Sequence, residues 1–305
     1  MTEVLFNGHA GRLEGRYHQS ENPSAPIALI LHPHPQYGGT MNNKVVYTLF
    51  SCFQNLGFSV LRFNFRSVGR SQGNFEDGPG ELSDATVALD WLQSVNPEAR
   101  QCWIAGYSFG AWIGLQLLMR RPDINNFIAV SPPANEKDFS FLAPCPTSGL
   151  ITQGCVDEIV TPSSVTTLVK RLNTQRNVSV DYAMIEDADH MYNNHLVDLY
   201  KIVGNYVIDA MKKKTPAKKR RGRRKKVEMQ EEQETLLLGN ENEDIDTDED
   251  FEDDVDNDIL DDEDEEESAL KSQKCSVQRT AFFLNKSLII AIESNLKSLI
   301  GKKIC

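Results

Sequence analysis

From its first residues to about residue 211 the chain alternates two hydrophobic periods. Short continuous apolar runs, Ile27-Ala-Leu-Ile-Leu31 being the clearest, read as strands buried on both faces. Between them lie longer segments with apolar residues three and four apart, such as Leu82, Ala85, Ala88, Leu89 and Leu92, which read as helices with one face on a core. Strands are expected near residues 2–6, 12–18, 27–31, 58–65, 101–107, 127–130, 149–153 and 178–185. Helices are expected near 44–56, 81–94, 109–120, 162–172 and 196–211. The first two strands form a hairpin, with Asn7-Gly8 as its turn signal. Strand and helix then alternate to the last helix, which implies an α/β architecture: a mostly parallel sheet with helices on both faces. Reactive groups in such sheets gather at the carboxyl ends of the strands.

One of those ends carries Gly106-Tyr-Ser-Phe-Gly110, a Gly-x-Ser-x-Gly pattern between a buried strand and a helix. That is the sequence of a nucleophile elbow, a tight turn that lifts a serine hydroxyl clear of the sheet. Gly106 and Gly110 flank Ser108 where strand and helix backbones approach too closely for a Cβ. Three fixed positions turn up by chance in about one chain in ten of this length, so the context has to decide. A serine hydroxyl needs a base, and the base needs an orienting group. In doubly wound hydrolases these follow in the order serine, acid, histidine. Asp157 sits in the loop after the 149–153 strand, and His190 in the loop after the 178–185 strand, so the order is met. His195 is the competing base, at the start of the last helix, and Asp189 and Glu158 are the competing acids. For the oxyanion, Phe109 follows the nucleophile and supplies one backbone N–H. The second comes from the loop after Leu31, where Pro33 and Pro35 have no N–H, leaving His34 and Gln36; His34 is preferred. The side chains of His32 and His34 read as loop packing, not as metal ligands, and no metal or cofactor is implied.

Three stretches resemble a known family: His32-Pro-His-Pro-Gln-Tyr-Gly-Gly-Thr-Met-Asn-Asn-Lys44, Phe63-Asn-Phe-Arg-Ser-Val-Gly-Arg-Ser-Gln-Gly73 and Ala105-Gly-Tyr-Ser-Phe-Gly-Ala111. They are similar to the alpha/beta-hydrolase superfamily, and within it to small bacterial dienelactone-hydrolase-like proteins with a His-Pro-His-Pro loop. The resemblance runs from about Val4 to Met211. It implies an eight-stranded alpha/beta-hydrolase fold with Ser108, Asp157 and His190 as triad. Dienelactone hydrolases proper carry cysteine as nucleophile; Ser108 departs from that and points to esterase-type chemistry. Only residues 131–148 separate two successive strands, too few for a large cap domain, and Phe139, Phe141 and Leu142 there are expected to form a small apolar lip, with Phe75 as a further wall. The expected reaction is hydrolysis of a small carboxylic ester, thioester or lactone through an acyl-enzyme on Ser108.

Charge changes the picture only beyond the helical end of this domain. The net charge of −12 conceals segregation: a polybasic run from Lys212 to Lys226 precedes an acidic stretch at 227–268. Both are expected to be disordered, and the basic run to attract nucleic acid or an anionic surface. A binding or adaptor protein acting through this tail is therefore the alternative to an enzyme. Residues 269–305 hold a short amphipathic helical pattern. The six cysteines show no Cys-x-x-Cys spacing, no stretch of about 20 apolar residues is long enough to span a bilayer, and no secretory leader is present, so a cytoplasmic protein is expected.

Overall fold

The computed structural model describes residues 1–176 and 178–213. The expectations for the basic run beyond Lys213, the acidic stretch and the amphipathic segment lie outside the described residues.

Eight strands form one sheet in the order β1-β2-β4-β3-β5-β6-β7-β8. They are β1 (Thr2–Gly8), β2 (Gly11–His18), β3 (Ile27–Leu31), β4 (Ser59–Phe63), β5 (Cys102–Tyr107), β6 (Ile124–Val130), β7 (Gly149–Gly154) and β8 (Val180–Ile185). The pairs β1–β2 and β2–β4 are antiparallel, and every other pair is parallel. Among the described residues four helices lie between strands and a fifth follows β8: α1 (Lys44–Asn55), α2 (Pro79–Ser94), α3 (Phe109–Arg120), α4 (Pro162–Asn173) and α5 (Leu196–Lys213). The last two residues of α5 are thus the first two of the polybasic run.

Alternation along the strands builds two cores. In β5 the side chains of Trp103, Ala105 and Tyr107 join α1 and α5 on one face, while Cys102 and Ile104 join α2, α3 and α4 on the other. Every residue of β3, β4, β5 and β7 is buried, as expected of strands covered on both faces, and in β3 this gives the continuous apolar run. Phe53, Phe58, Trp103 and Tyr206 interlock at centroid distances of 5.0–6.2 Å in the α1/α5 core.

The structure moves some boundaries. The hairpin turns at His9–Ala10, not at Asn7-Gly8: Gly8 pairs with Gly11 inside the ladder. A Cβ on Gly8 would lie 2.9 Å from Leu13 Cδ1, at the movable end of that side chain, whereas the conformational demand falls on Gly11, at φ 126°. Strand β4 ends at Phe63, two residues early, because the Phe65 N–H leaves the sheet and donates to His32 Nε2 at 3.0 Å.

Between β6 and β7 there is no cap, only a loop with a single 3-10 turn at Ser140–Leu142. Phe139 and Leu142 do not form an exposed lip. Both are buried in the α2/α3/α4 core and anchor the loop, with Phe141 stacked on Phe139 at 5.9 Å. Among the described residues no helix is long and apolar enough to cross a membrane.

Candidate active site

Ser108 stands at the carboxyl end of the central strand β5, one residue before α3. Its backbone is at φ 53°, ψ −119°, a region costly for a residue with a Cβ. The surroundings hold it there: its N–H donates to the Val130 carbonyl at 2.8 Å, and its own carbonyl accepts from Ala111 N–H at 2.9 Å. The flanking glycines are required by contact. A Cβ on Gly106 would lie 2.3 Å from the Gly110 carbonyl oxygen, and one on Gly110 would lie 2.5 Å from the carbonyl oxygens of Leu31 and His32. The second contact also shows that the loop after β3 is pressed against the elbow. Phe109 is the first residue of α3, where an amide has no carbonyl four residues earlier to donate to.

Asp157 and His190, read from sequence as separate loop residues, are brought together. His190 Nδ1 lies 2.8 Å from Asp157 Oδ2, with the Asp157 side chain fully buried. A carboxylate can only accept, so Nδ1 carries the proton and Nε2 is left as the basic nitrogen. The other Asp157 oxygen accepts the N–H groups of Ile159 at 3.0 Å and Val160 at 2.8 Å, and Gln153 Nε2 donates to Oδ2 at 2.9 Å. Burial alone would raise the Asp157 pKa. The hydrogen bonds from His190, Val160 and Gln153 outweigh it and hold the carboxyl below its ordinary range.

The rivals are placed elsewhere. His195 Nδ1 faces Asp198 Oδ2 at 3.4 Å in the first turn of α5. Asp189 accepts the side-chain and backbone N–H groups of Asn193, and Glu158 is exposed.

One residue of this wall escaped sequence reasoning. Tyr107, the residue before the nucleophile, donates its hydroxyl to the His190 carbonyl at 2.6 Å, and the two rings lie 5.3 Å apart. The only signal was a large polar aromatic at the variable position of Gly-x-Ser. The His190 loop is also bent through left-handed backbone at Asp187, Tyr192 and Asn194 (φ 56°, 53° and 64°), and Tyr192 is buried with its hydroxyl 3.0 Å from Ser131 Oγ.

On the opposite side, the loop after β3 is set by His32. This ring is fully buried, donates from Nδ1 to the Pro33 carbonyl at 2.6 Å and accepts the Phe65 N–H at Nε2. Burial pushes its pKa down to about 4, so it is neutral and structural. His34 accepts the Gln36 N–H at Nδ1 and places its ring 5.0 Å from that of Phe109, bringing the two sequence-predicted oxyanion residues side by side. The Phe63–Gly73 stretch is tied down by its own hydrogen bonds. It is a bracket: Arg66 grips buried Asp84 through Nε at 3.0 Å and Nη2 at 2.9 Å, while Glu14 accepts from Asn64 and Arg70. Glu81, buried at the start of α2, receives the N–H groups of Glu76 and Gly78 and closes the same loop.

A cavity of about 170 Å³ lies between residues 134–139 and α4, lined among others by Lys137, Phe139, Thr167 and Arg171. It includes none of Ser108, Asp157 and His190. Among the described residues no group of three or more His, Cys, Asp or Glu side chains is arranged to hold a metal ion.

The chain is similar to several known proteins. The family model of X-Pro dipeptidyl-peptidases of the S15 family matches residues 15–143, a span that includes the elbow. An uncharacterized protein of Rickettsia prowazekii is 52% identical over 212 residues, which are 68% of this chain and 89% of that protein. A crystal structure from Agrobacterium tumefaciens, described as an alpha/beta hydrolase of unknown function, is 54% identical with a TM-score of 0.68, covering 70% of this chain and 98% of its own. An alpha/beta serine hydrolase without a lid from Xanthomonas campestris is 32% identical with a TM-score of 0.62, covering 68% and 94%. With its sheet order, its strained serine turn and relatives that align over nearly their whole length, the chain belongs to the alpha/beta-hydrolase superfamily.

Proposed function

We propose that the chain is a serine hydrolase that cleaves a small carboxylic ester, thioester or lactone through an acyl-enzyme on Ser108. The observation that carries the reading is the 2.8 Å hydrogen bond between buried Asp157 and His190, on the same sheet edge as a Ser108 held at positive φ. His190 Nε2 takes the Ser108 hydroxyl proton as Oγ attacks the substrate carbonyl. Asp157 stays ionised, fixes the tautomer and stabilises the imidazolium. The N–H groups of Phe109 and His34 receive the oxyanion. Collapse of the tetrahedral intermediate breaks the bond to the leaving group, which takes the proton from His190. A water, deprotonated by the same nitrogen, then hydrolyses the acyl-enzyme. The short loop between β6 and β7 supports an open site that admits small or flexible acyl groups.

Replacing Ser108 by Ala should abolish turnover of short-chain acyl esters while the far-ultraviolet circular dichroism and melting transition stay those of a folded chain. Undiminished turnover in a folded Ser108→Ala protein sinks the proposal. Including X-Pro dipeptide amides in the substrate panel separates ester from peptide cleavage, since the S15 model spans the elbow.

A further inference from the structure

Five aromatic side chains run in unbroken contact from the loop after β3 to the second turn's edge of α3. Tyr37 lies 4.6 Å from His34, His34 lies 4.9 Å from Phe75 and 5.0 Å from Phe109, and Phe109 lies 5.6 Å from Trp112. Phe75 and Phe109 also meet, at 6.0 Å. All these separations lie within the range of attractive ring contacts. Yet the strip is not core. Only Phe109 is buried; His34, Phe75 and Trp112 are half-exposed, and Tyr37 is 86% exposed, more than any other large hydrophobic residue of the described chain. An exposed ring seated on a chain of others is what marks a binding surface; scattered single apolar residues do not.

The strip is also held in place. His34 is oriented by the Gln36 N–H on Nδ1, and burial lowers its pKa, so at neutral pH it offers an uncharged face. Trp112 is pinned by its Nε1–H to the Asp138 carbonyl at 3.1 Å, and Lys137 Nζ sits 4.8 Å over its ring while pairing with Asp77 at 2.7 Å.

Position then decides which part of a substrate meets it. The strip belongs to the loops after β3 and β4 and to α3, whereas His190 follows β8, at the far side of β5 in the sheet order. A leaving group must face His190 to take its proton. With the carbonyl oxygen between the His34 and Phe109 amides, the acyl group is left on the strip side. Resting on the serine-hydrolase reading, we infer that the site's acyl subsite is an aromatic platform, built for the flat ring of an arylalkanoyl or related aromatic acyl group, with Tyr37 and Phe75 as its specificity-determining residues.

The test uses 4-nitrophenyl esters of 3-phenylpropanoic and hexanoic acid, which share a leaving group, with the full-length protein. The kcat/KM ratio of the aryl to the alkyl ester should be about tenfold or more, and should fall towards one in Tyr37→Ala and in Phe75→Leu. Tyr37 is too exposed for its loss to unfold the chain, and leucine keeps most of the Phe75 packing. A wild-type ratio near one, or a high ratio that both variants keep, overturns the inference. A fluorophosphonate separates the two levels: no adduct on Ser108 removes the hydrolase reading itself, whereas an adduct with no aryl preference removes only the platform.

Discussion

The two walls that flank Ser108 are built by different means. On the β3/β4 side, the loop is fixed by buried polar groups: the Arg66–Asp84 pair, the Glu14 cluster and neutral His32. On the β7/β8 side, backbone strain and hydrogen bonds hold the Asp157–His190 pair, with three left-handed residues around His190 and four donors on Asp157. One wall uses polar burial to fix a loop's shape; the other uses it to orient the His190 imidazole. Substitutions of the buried Arg66, Asp84, Glu14 and His32 groups should therefore cost stability, and substitutions of Asp157 or His190 should cost rate.

The largest contrast is expected from Asp157→Asn. The amide turns a donor towards His190, favours the wrong tautomer and lowers kcat by about 10³- to 10⁴-fold, as loss of a triad acid does in serine proteases, with little change in KM. Steady-state kinetics with a short acyl ester read this directly. A loss of kcat/KM carried entirely by a higher KM, with kcat unchanged, would mean that the β7/β8 wall only shapes the site. Next comes Arg66→Met, which strands the fully buried Asp84 carboxylate. Loss of one partner of such a pair costs about 3–5 kcal/mol, visible as a lower urea midpoint. An unchanged midpoint would erase the distinction between the walls.

The smallest of the three effects is linked to pH. His32 has a folded pKa of about 4 against an ordinary 6.5, so between these values the unfolded chain binds the extra proton and stability rises with pH. Its contribution is fully present above about pH 6.5 and is lost as pH falls towards 4, about 3 kcal/mol in all. His32→Gln keeps an acceptor for the Phe65 N–H but cannot titrate. Its urea midpoint should fall less steeply between pH 7 and pH 4.5 than that of the natural chain, and parallel slopes would contradict the assignment.

Much of this architecture could be read from the chain before any coordinates. Strand and helix order, the elbow, and Asp157 and His190 as the acid and histidine of the loops after β7 and β8 follow from periodicity and chain order. What escaped depends on contacts between residues far apart in sequence. The Tyr107 bond to the His190 carbonyl spans 83 positions. His32 resembled any loop histidine until Phe65 turned out of the sheet to meet it. Phe139 and Leu142 looked like a lip because a loop's side-chain directions are not periodic, and only packing against α3 shows that they point inward. Asn7-Gly8 carried a turn signal, but the ladder ran two residues further, with Gly11 at φ 126° taking the conformation the turn at His9–Ala10 needs.

The central claim is that Ser108 is a nucleophile activated by the Asp157–His190 pair. It is tested most directly by incubating the full-length protein with a fluorophosphonate and mapping the adduct by peptide mass spectrometry. The account predicts one adduct, on Ser108, formed rapidly in the natural chain and slowed by orders of magnitude in His190→Ala. An unlabelled Ser108 in folded protein, or labelling that His190→Ala leaves just as fast, would contradict it.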